Sequence, residues 1–190
     1  MRKIIMFLLA LPILCLCQSA IAQSNDDMKA MMAYATPGEI HKLLAKSVGT
    51  WTTDITMWMQ PGTPPTTATG ETKNEMILGG RYLQATNTSV FMGQPFQGIG
   101  LLGFDNIKKI FVNSWVDNMG TGMMFLTGTW DDKTKSINFT GPMTDPTSGK
   151  DIPVREVVTF VNDNTQVMDM YISAGGKEFK TMEIKYTRKL

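Results

Sequence analysis

The stretch FQGIGLLGFDNIKKIFVNSWVD, residues 96–117, decides the fold. Its glycines, Gly98–Gly103, match the G-x-G-x-x-G pattern of dinucleotide-binding loops, and Asp117 stands near the position of the acid that holds the ribose. That fold also requires a crossover helix of at least about ten residues after the glycines. Only FDNIKK, residues 104–109, separates Gly103 from the next apolar run, and Asp105-Asn106 is a turn signal. The stretch therefore predicts a β-hairpin and excludes a nicotinamide or flavin site.

Alternating apolar and polar residues continue on both sides of this hairpin, with turn residues between the runs. The predicted strands are Trp51–Met59, Ala68–Leu78, Arg81–Phe91, Phe96–Phe104, Ile110–Asp117, Met123–Trp130, Ser136–Thr140, Val154–Val161, Val167–Ser173 and Glu178–Arg188. One long loop is predicted at residues 141–153. A meander of this length usually closes to remove its edges. We therefore predict an all-β protein, a roughly ten-stranded antiparallel up-and-down barrel wide enough to hold one small ligand.

A short helix is predicted before the strands. Thr36 is its expected cap, Glu39 completes a capping box, and Gly49 ends it. Residues 23–35 form an N-terminal arm with helical spacing. The barrel domain is predicted to span residues 36–190.

The first 22 residues predict a cleaved secretory signal peptide. Arg2 and Lys3 precede an apolar run, and Ala20-Ile21-Ala22 is an A-x-A cleavage signal. We expect cleavage after Ala22 and a periplasmic or secreted protein. The apolar run is shorter than the roughly 20 residues of a membrane-spanning helix, so no stable membrane insertion is expected.

Removal of this segment changes the chemistry available to the chain. Both cysteines, Cys15 and Cys17, leave with it, so thiol and disulfide chemistry is excluded. The basic residues fall from 18 to 16 (18 − 2) against 17 acidic ones. The sequence has no basic patch or charge run of the kind that binds nucleic acid, so nucleic acid is not expected as a partner.

Seven segments of the chain, taken in order, resemble the domain of unknown function 1579 family. They are YATPGEIHKLLAKSVGTW, ILGGRYL, FQGIGLLGFDN, SWVDNMGTGMM, TGTWD, DPTSGKDIPVREVVTF and EFKTMEIKYTR. The resemblance runs from about Tyr34 to Arg188. It implies a secreted or periplasmic bacterial β-barrel related to the calycins, and it brings no established reaction.

One detail of the sequence is similar to the lipocalin G-x-W motif. Gly49 and Trp51 lie where the helical segment enters the first strand, and Arg188 ends the last strand. Such barrels place an arginine over that tryptophan, a contact of about 0.5–1 kcal/mol that closes one end of the barrel. We interpret these residues as structural.

Four polar or aromatic residues on apolar strands are candidate ligand-binding residues: Arg81, Trp115, Asp117 and Arg155. If their faces point into the barrel, each charge needs a partner or a ligand to offset its desolvation. An interior arginine and tryptophan suit an amphipathic ligand with an acidic head. The alternative is an ion pair of either arginine with a carboxylate, namely Asp117, Glu156 or Glu183.

Metal and cofactor sites are not expected. His41 has no second histidine or cysteine to share a metal, and its interpretation as a helix-packing residue is favoured over a haem or metal ligand. Of the 16 methionines, 14 remain after the leader (16 − 2). They suit an adaptable apolar core or pocket, with Cu(I) binding by M-x-M pairs as the alternative.

The sequence favours an exported, non-enzymatic barrel that binds a small apolar or amphipathic molecule. One alternative is an isomerase or hydrolase with an interior Arg/Asp/Glu cluster. Another is a structural or partner-binding module with a filled interior and an exposed apolar patch.

Overall fold

A computed structural model describes residues 25–174 and 176–190 of the chain. The predicted signal peptide, residues 1–22, lies outside the described residues. Helix α1 covers residues 25–35 and helix α2 covers Glu39–Ala45. The strands are β1 Gly49–Met57, β2 Thr66–Ile77, β3 Tyr82–Phe91, β4 Gln94–Asp105, β5 Ile110–Asp117, β6 Met124–Asp131, β7 Ser136–Asp145, β8 Lys150–Asn162, β9 Thr165–Ala174 and β10 Lys177–Arg188.

The chain divides into two compact units, residues 1–36 and residues 37–190. Within the described part of the first unit, Thr36 follows the last residue of α1, and its hydroxyl donates to the carbonyl of Met32. In the described ranges, neither helix is long and apolar enough to cross a membrane.

The ten strands form one closed antiparallel barrel in which every strand pairs with its neighbours in sequence and β1 pairs with β10. This confirms the predicted up-and-down barrel. The deciding stretch is the β4–β5 hairpin, with Gly98 opposite Asp117 and Gly100 opposite Trp115. No crossover helix follows the glycines, so the dinucleotide geometry is absent from this segment.

The predicted long loop at residues 141–153 is wrong. Strand β7 continues to Asp145, β8 begins at Lys150, and Pro142 lies directly opposite Pro153. On its other side β7 pairs with β6 only as far as Thr140, and β8 pairs with β9 only from Val154. Pro142 therefore lies just beyond the β6–β7 ladder, and Pro153 just outside the β8–β9 ladder. At these positions no neighbouring strand requires the backbone N–H that proline lacks, so the strands tolerate it.

The start of α2 also differs from the prediction. Gly38, and not Thr36, is the N-cap residue. The Gly38 N–H donates to Nδ1 of His41 over 3.0 Å, so the histidine has the role that a glutamate at this position has in a capping box. The glycine has no side chain to accept from the N–H of His41, and that N–H donates to the Gly38 carbonyl over 3.0 Å instead.

The two ends of the barrel differ in packing. We call the end that carries α2, Trp51 and Arg188 the helix end, and the opposite end, with the loops at 58–65, 92–93, 118–123 and 146–149, the far end. The fully buried large apolar side chains belong to the helix end and the middle of the barrel. They are Leu44, Trp51, Phe111, Leu126, Ile137 and Phe139.

Two glycines on β4 make room for a tryptophan inside the barrel. A Cβ atom built on Gly98 would lie 2.3 Å from the Trp115 ring, whereas one on Gly100 would lie 3.5 Å from it. The ring is held from two other sides, since its Nε1 donates to Asp117 over 2.7 Å and it stacks on Phe96. The tryptophan therefore cannot move aside without losing these contacts.

Gly98→Ala is expected to destabilise the protein by about 1–3 kcal/mol, because the new methyl group overlaps a fixed ring. Gly100→Ala on the same face of the same strand is the matched control and is expected to be within about 0.5 kcal/mol of the wild type. Urea unfolding followed by tryptophan fluorescence measures both. Equal stabilities for the two variants would contradict the close packing of Trp115 on Gly98.

Candidate functional site

The barrel interior contains a row of side chains that crosses five adjacent strands. The register places Met57 opposite Met182, Met182 opposite Met170, Met170 opposite Glu156, and Glu156 opposite Phe139. Directly opposed residues of neighbouring strands point to the same face of a sheet. Phe139 is fully buried, so the row faces the interior. We call these five residues the methionine–glutamate row.

The row changes depth as it crosses the strands. Met57 is the last residue of β1 and lies at the far end, whereas Glu156 lies near the middle of β8. Its three methionines remain partly exposed, while Glu156 is only 6% exposed. The row therefore joins an accessible apolar region at the far end to a buried carboxyl group at mid-depth.

Glu156 is an acid without a basic partner. Burial raises the pKa of Glu156 to about 7, and the side-chain amide of Asn113 opposes this rise by favouring the charged form. Among the described residues, no lysine or arginine pairs with this carboxylate or lowers its pKa. A carboxylate buried in this way is destabilising until a proton or a ligand neutralises it.

Tyr186 adds a second acid to the same interior. Its register places it opposite Gln166 of β9, and burial raises its pKa above the usual value of 10.0, with the negative charge of Glu156 as the second cause. The phenol therefore stays protonated at neutral pH. Glu156, Tyr186 and Asn113 are contributed by β8, β10 and β5, so the polar groups converge from different parts of the wall.

This arrangement supports two kinds of chemistry. A carboxyl group that titrates near pH 7 is able to bind a hydrogen-bond donor or a cation, and it is also able to take up or release a proton. The described residues contain no group of three or more His, Cys, Asp and Glu side chains that could hold a metal ion.

The far end of the barrel has an apolar rim. Its loops at 58–65, 92–93, 118–123 and 146–149 contain no charged residue. The large apolar side chains at this rim are more than half exposed. They are Met59, Val90, Met92, Met119, Met123 and Phe125.

Arg155 lies on the outer face of the barrel, one position from the inward-facing Glu156. Its guanidinium stacks on Tyr171, 3.9 Å from the ring centroid, and donates two hydrogen bonds to Glu178. The ion pair raises the pKa of Arg155 and lowers that of Glu178. The ion-pair alternative is thus the observed one, although its carboxylate is Glu178 and not any of the three residues named from the sequence.

Arg81 lies in the turn after β2 and is exposed. Its guanidinium donates to the carbonyl of Leu78 over 3.0 Å. Arg81 and Arg155 are candidate interior charges only if their faces point inward. Because neither side chain reaches Glu156, an interior arginine–carboxylate cluster is not assembled from these residues.

Trp115 and Asp117 face the interior near the far end. Their positions follow from the pairing of both residues with inward-facing glycines of β4. Asp117 also accepts a hydrogen bond from the N–H of Met119, and this contact anchors the loop at 118–123. Of the four candidate ligand-binding residues, these two lie where a ligand entering from the far end would pass.

Gly49, Trp51 and Arg188 close the helix end. Arg188 lies opposite Trp51 in the β1–β10 ladder, with its guanidinium carbon 4.2 Å from the ring centroid. The guanidinium also donates to the carbonyls of Lys46, Val48 and Asp163. Gly49 has φ of +125°, and a Cβ there would lie 2.9 Å from the Arg188 side chain. Only glycine fits this corner without strain.

His41 packs between α2 and the barrel wall. Its ring meets Phe104 edge-on, with 6.3 Å between centroids, and its Nδ1 is already bonded to Gly38. Burial, and to a smaller extent the charge of Arg81, lowers the pKa of His41. The geometry is that of a helix-packing histidine.

Sequence reasoning missed the importance of Glu156, which it named only as an ion-pair partner. The signal lies in the alternation Val154, Glu156, Val158 and Phe160, one acid in an otherwise apolar set. The opposite face, Val157, Thr159 and Val161 with Arg155, is also largely apolar, so the sequence did not distinguish the inner face from the outer one.

Comparisons with known proteins agree with this architecture. The family model described as "Protein of unknown function (DUF1579)" matches residues 36–188. The crystal structure of Rv2717c from M. tuberculosis is similar, with a TM-score of 0.61, 13% identity, and 82% of this chain and 100% of that chain covered. At this identity the likeness establishes the fold alone. A comparison with curated proteins finds no match.

Proposed function

The chain belongs to the DUF1579 family of proteins of unknown function, and from this premise we propose that it binds a small apolar or amphipathic molecule inside its barrel. The observation that carries the proposal is the methionine–glutamate row, whose partly exposed thioethers lead inward from the far end. Methionine side chains adapt to irregular apolar ligands. Ligand sites generally combine such an apolar lining with a few polar groups that fix orientation.

The far end is the proposed entrance. Its loops at 58–65, 92–93, 118–123 and 146–149 are uncharged and its rim exposes methionines, so an apolar molecule meets a largely apolar surface there. The helix end is closed by Trp51 and Arg188. Export to the periplasm or the exterior, inferred from residues 1–22, belongs to the same proposal.

Native mass spectrometry of the protein purified from its host tests for a bound molecule. The purified barrel is then titrated with N-phenyl-1-naphthylamine, a neutral apolar fluorophore. We expect Met182→Gln to weaken binding of this probe about tenfold, because a polar amide replaces an apolar contact in the row. Met31→Gln is the matched control, since Met31 lies in helix α1 and is 67% exposed.

Equal effects of the two substitutions would contradict an interior site. Repeated absence of a co-purified molecule, together with no fluorescence change on addition of the probe, would overturn the proposal as a whole. Circular dichroism of both variants establishes that their strand content equals that of the wild type.

An enzyme that transfers a proton through Glu156 is a second candidate, and the pKa of about 7 favours it. Turnover is its discriminating property. Hydrogen–deuterium exchange at carbon in small ketones, catalysed by the wild type and lost in Glu156→Gln, would favour this candidate over a binding protein.

A further inference from the structure

We propose that the interior site selects ligands that carry a cationic nitrogen head on an apolar body, with Glu156 as the counter-ion. This inference rests on the proposed function, because it names the class of molecule that the barrel takes. A ligand with a cationic head takes the place of the ligand with an acidic head that an interior arginine would have favoured.

The first support is the position of Glu156. Its side chain is 6% exposed and lies on the inner face between Met170 of β9 and Phe139 of β7. None of the ion pairs among the described residues includes it. A carboxylate surrounded by apolar groups interacts strongly with a cation that arrives without its water.

The second support is that, in the part of the chain that the structure describes, no lysine or arginine is paired with Glu156 inside the barrel. Arg155 is held outside by Glu178 and Tyr171, and Lys180 lies on the same outer face, 2.6 Å from Asp169. Arg188 is occupied at the helix end by Trp51 and by backbone carbonyls. An anionic head at mid-depth would therefore meet Glu156 and the phenol of Tyr186 with no counter-charge.

The third support is the direction of the row. Glu156 is at mid-depth, and Met170, Met182 and Met57 follow on successive strands toward the far end. A molecule whose charged head reaches Glu156 thus places its apolar body along the thioethers. Asn113 provides a polar amide whose hydrogen bond favours the charged form of the carboxylate and partly offsets the effect of burial on its pKa.

Three probes with the same ten-carbon chain test the selectivity: n-decylammonium, n-decanol and decanoate. Each competes with N-phenyl-1-naphthylamine at pH 8 and below its micelle concentration. We expect decylammonium to bind at least about tenfold more tightly than decanol, and decanoate to bind most weakly.

Glu156→Gln is expected to abolish the advantage of decylammonium over decanol. The matched control is Glu75→Gln, an exposed glutamate on the outer face of β2, which is expected to keep the preference. Calorimetry of decylammonium binding near pH 7 in two buffers of different ionisation enthalpy adds an independent readout. Binding to the wild type is expected to release a fraction of a proton, and binding to Glu156→Gln none.

Equal affinities for the three probes, or tighter binding of decanoate, would overturn the inference and leave the apolar site of the proposed function standing. A preference for decylammonium that persists in Glu156→Gln would also overturn it. If none of the probes displaces the fluorophore and the fluorophore itself does not bind, both proposals fail.

Discussion

Trp51→Ala is expected to produce the largest loss of stability of any single substitution considered, about 3–5 kcal/mol. Trp51 is fully buried, and its Nε1 donates to the carbonyl of Ser47 over 2.9 Å. Removal of the indole leaves a cavity at the helix end and takes the stacking surface from Arg188. For a barrel of this size the loss corresponds to a fall in Tm of roughly 6–20 °C.

Thermal unfolding followed by circular dichroism measures this effect. Trp58→Ala is the matched control, because Trp58 follows β1 at the far end, is only partly buried and has Lys180 at 5.6 Å from its ring. The control is expected to lose about 1 kcal/mol or less. If the two alanine variants lost equal stability, Trp51 and Arg188 would not be the closure of the barrel.

Glu156→Gln is expected to stabilise the protein above pH 7, by up to about 3 kcal/mol. Burial raises the pKa of Glu156 from its usual value of 4.5 to about 7 in the folded chain. Between these values the folded state holds a proton that the unfolded chain has released. The stability of the wild type therefore falls as the pH rises through this window and remains lower above it.

The neutral amide has no such titration, so the difference between variant and wild type is expected to be small at pH 4.5 and to reach its full value near pH 8. Urea unfolding at a series of pH values measures it. Glu75→Gln, at an exposed position of β2 where the side chain pairs with Lys73, is the control and is expected to show no pH-dependent gain. A variant that is less stable than the wild type at pH 8 would contradict an uncompensated buried carboxylate.

Trp51 and Glu156 differ in how well the sequence predicted their roles. The turn residues and the two-residue period predicted the meander and its closure, and the resemblance to the lipocalin G-x-W motif implied the contact of Trp51 with Arg188 beside Gly49. The short spacer between Gly103 and β5 excluded a nucleotide loop. The alternation, the turns and the short spacer are local properties of the chain, whereas the Trp51–Arg188 contact joins its first and last strands.

The boundaries were less predictable where proline was involved. Pro142 and Pro153 suggested a loop, yet both lie in strands because the neighbouring ladders end just before them. Whether proline is tolerated in β7 and β8 depends on where their pairing with β6 and β9 ends. The residues 141–153 do not determine those limits.

The sequence by itself determined the fold class and the order of the strands, because strand alternation and turn chemistry act over a few residues, and its resemblance to the lipocalin G-x-W motif implied the closure residues. Only the tertiary structure decided the inner face of β8 and the partner of each charge. Both faces of that strand are apolar enough to be buried, and the register of β8 with β7 and β9 turns Glu156 inward and Arg155 outward. The candidate site rests on that choice, since it places an unpaired acid inside the barrel and leaves the arginine bound to Glu178 outside.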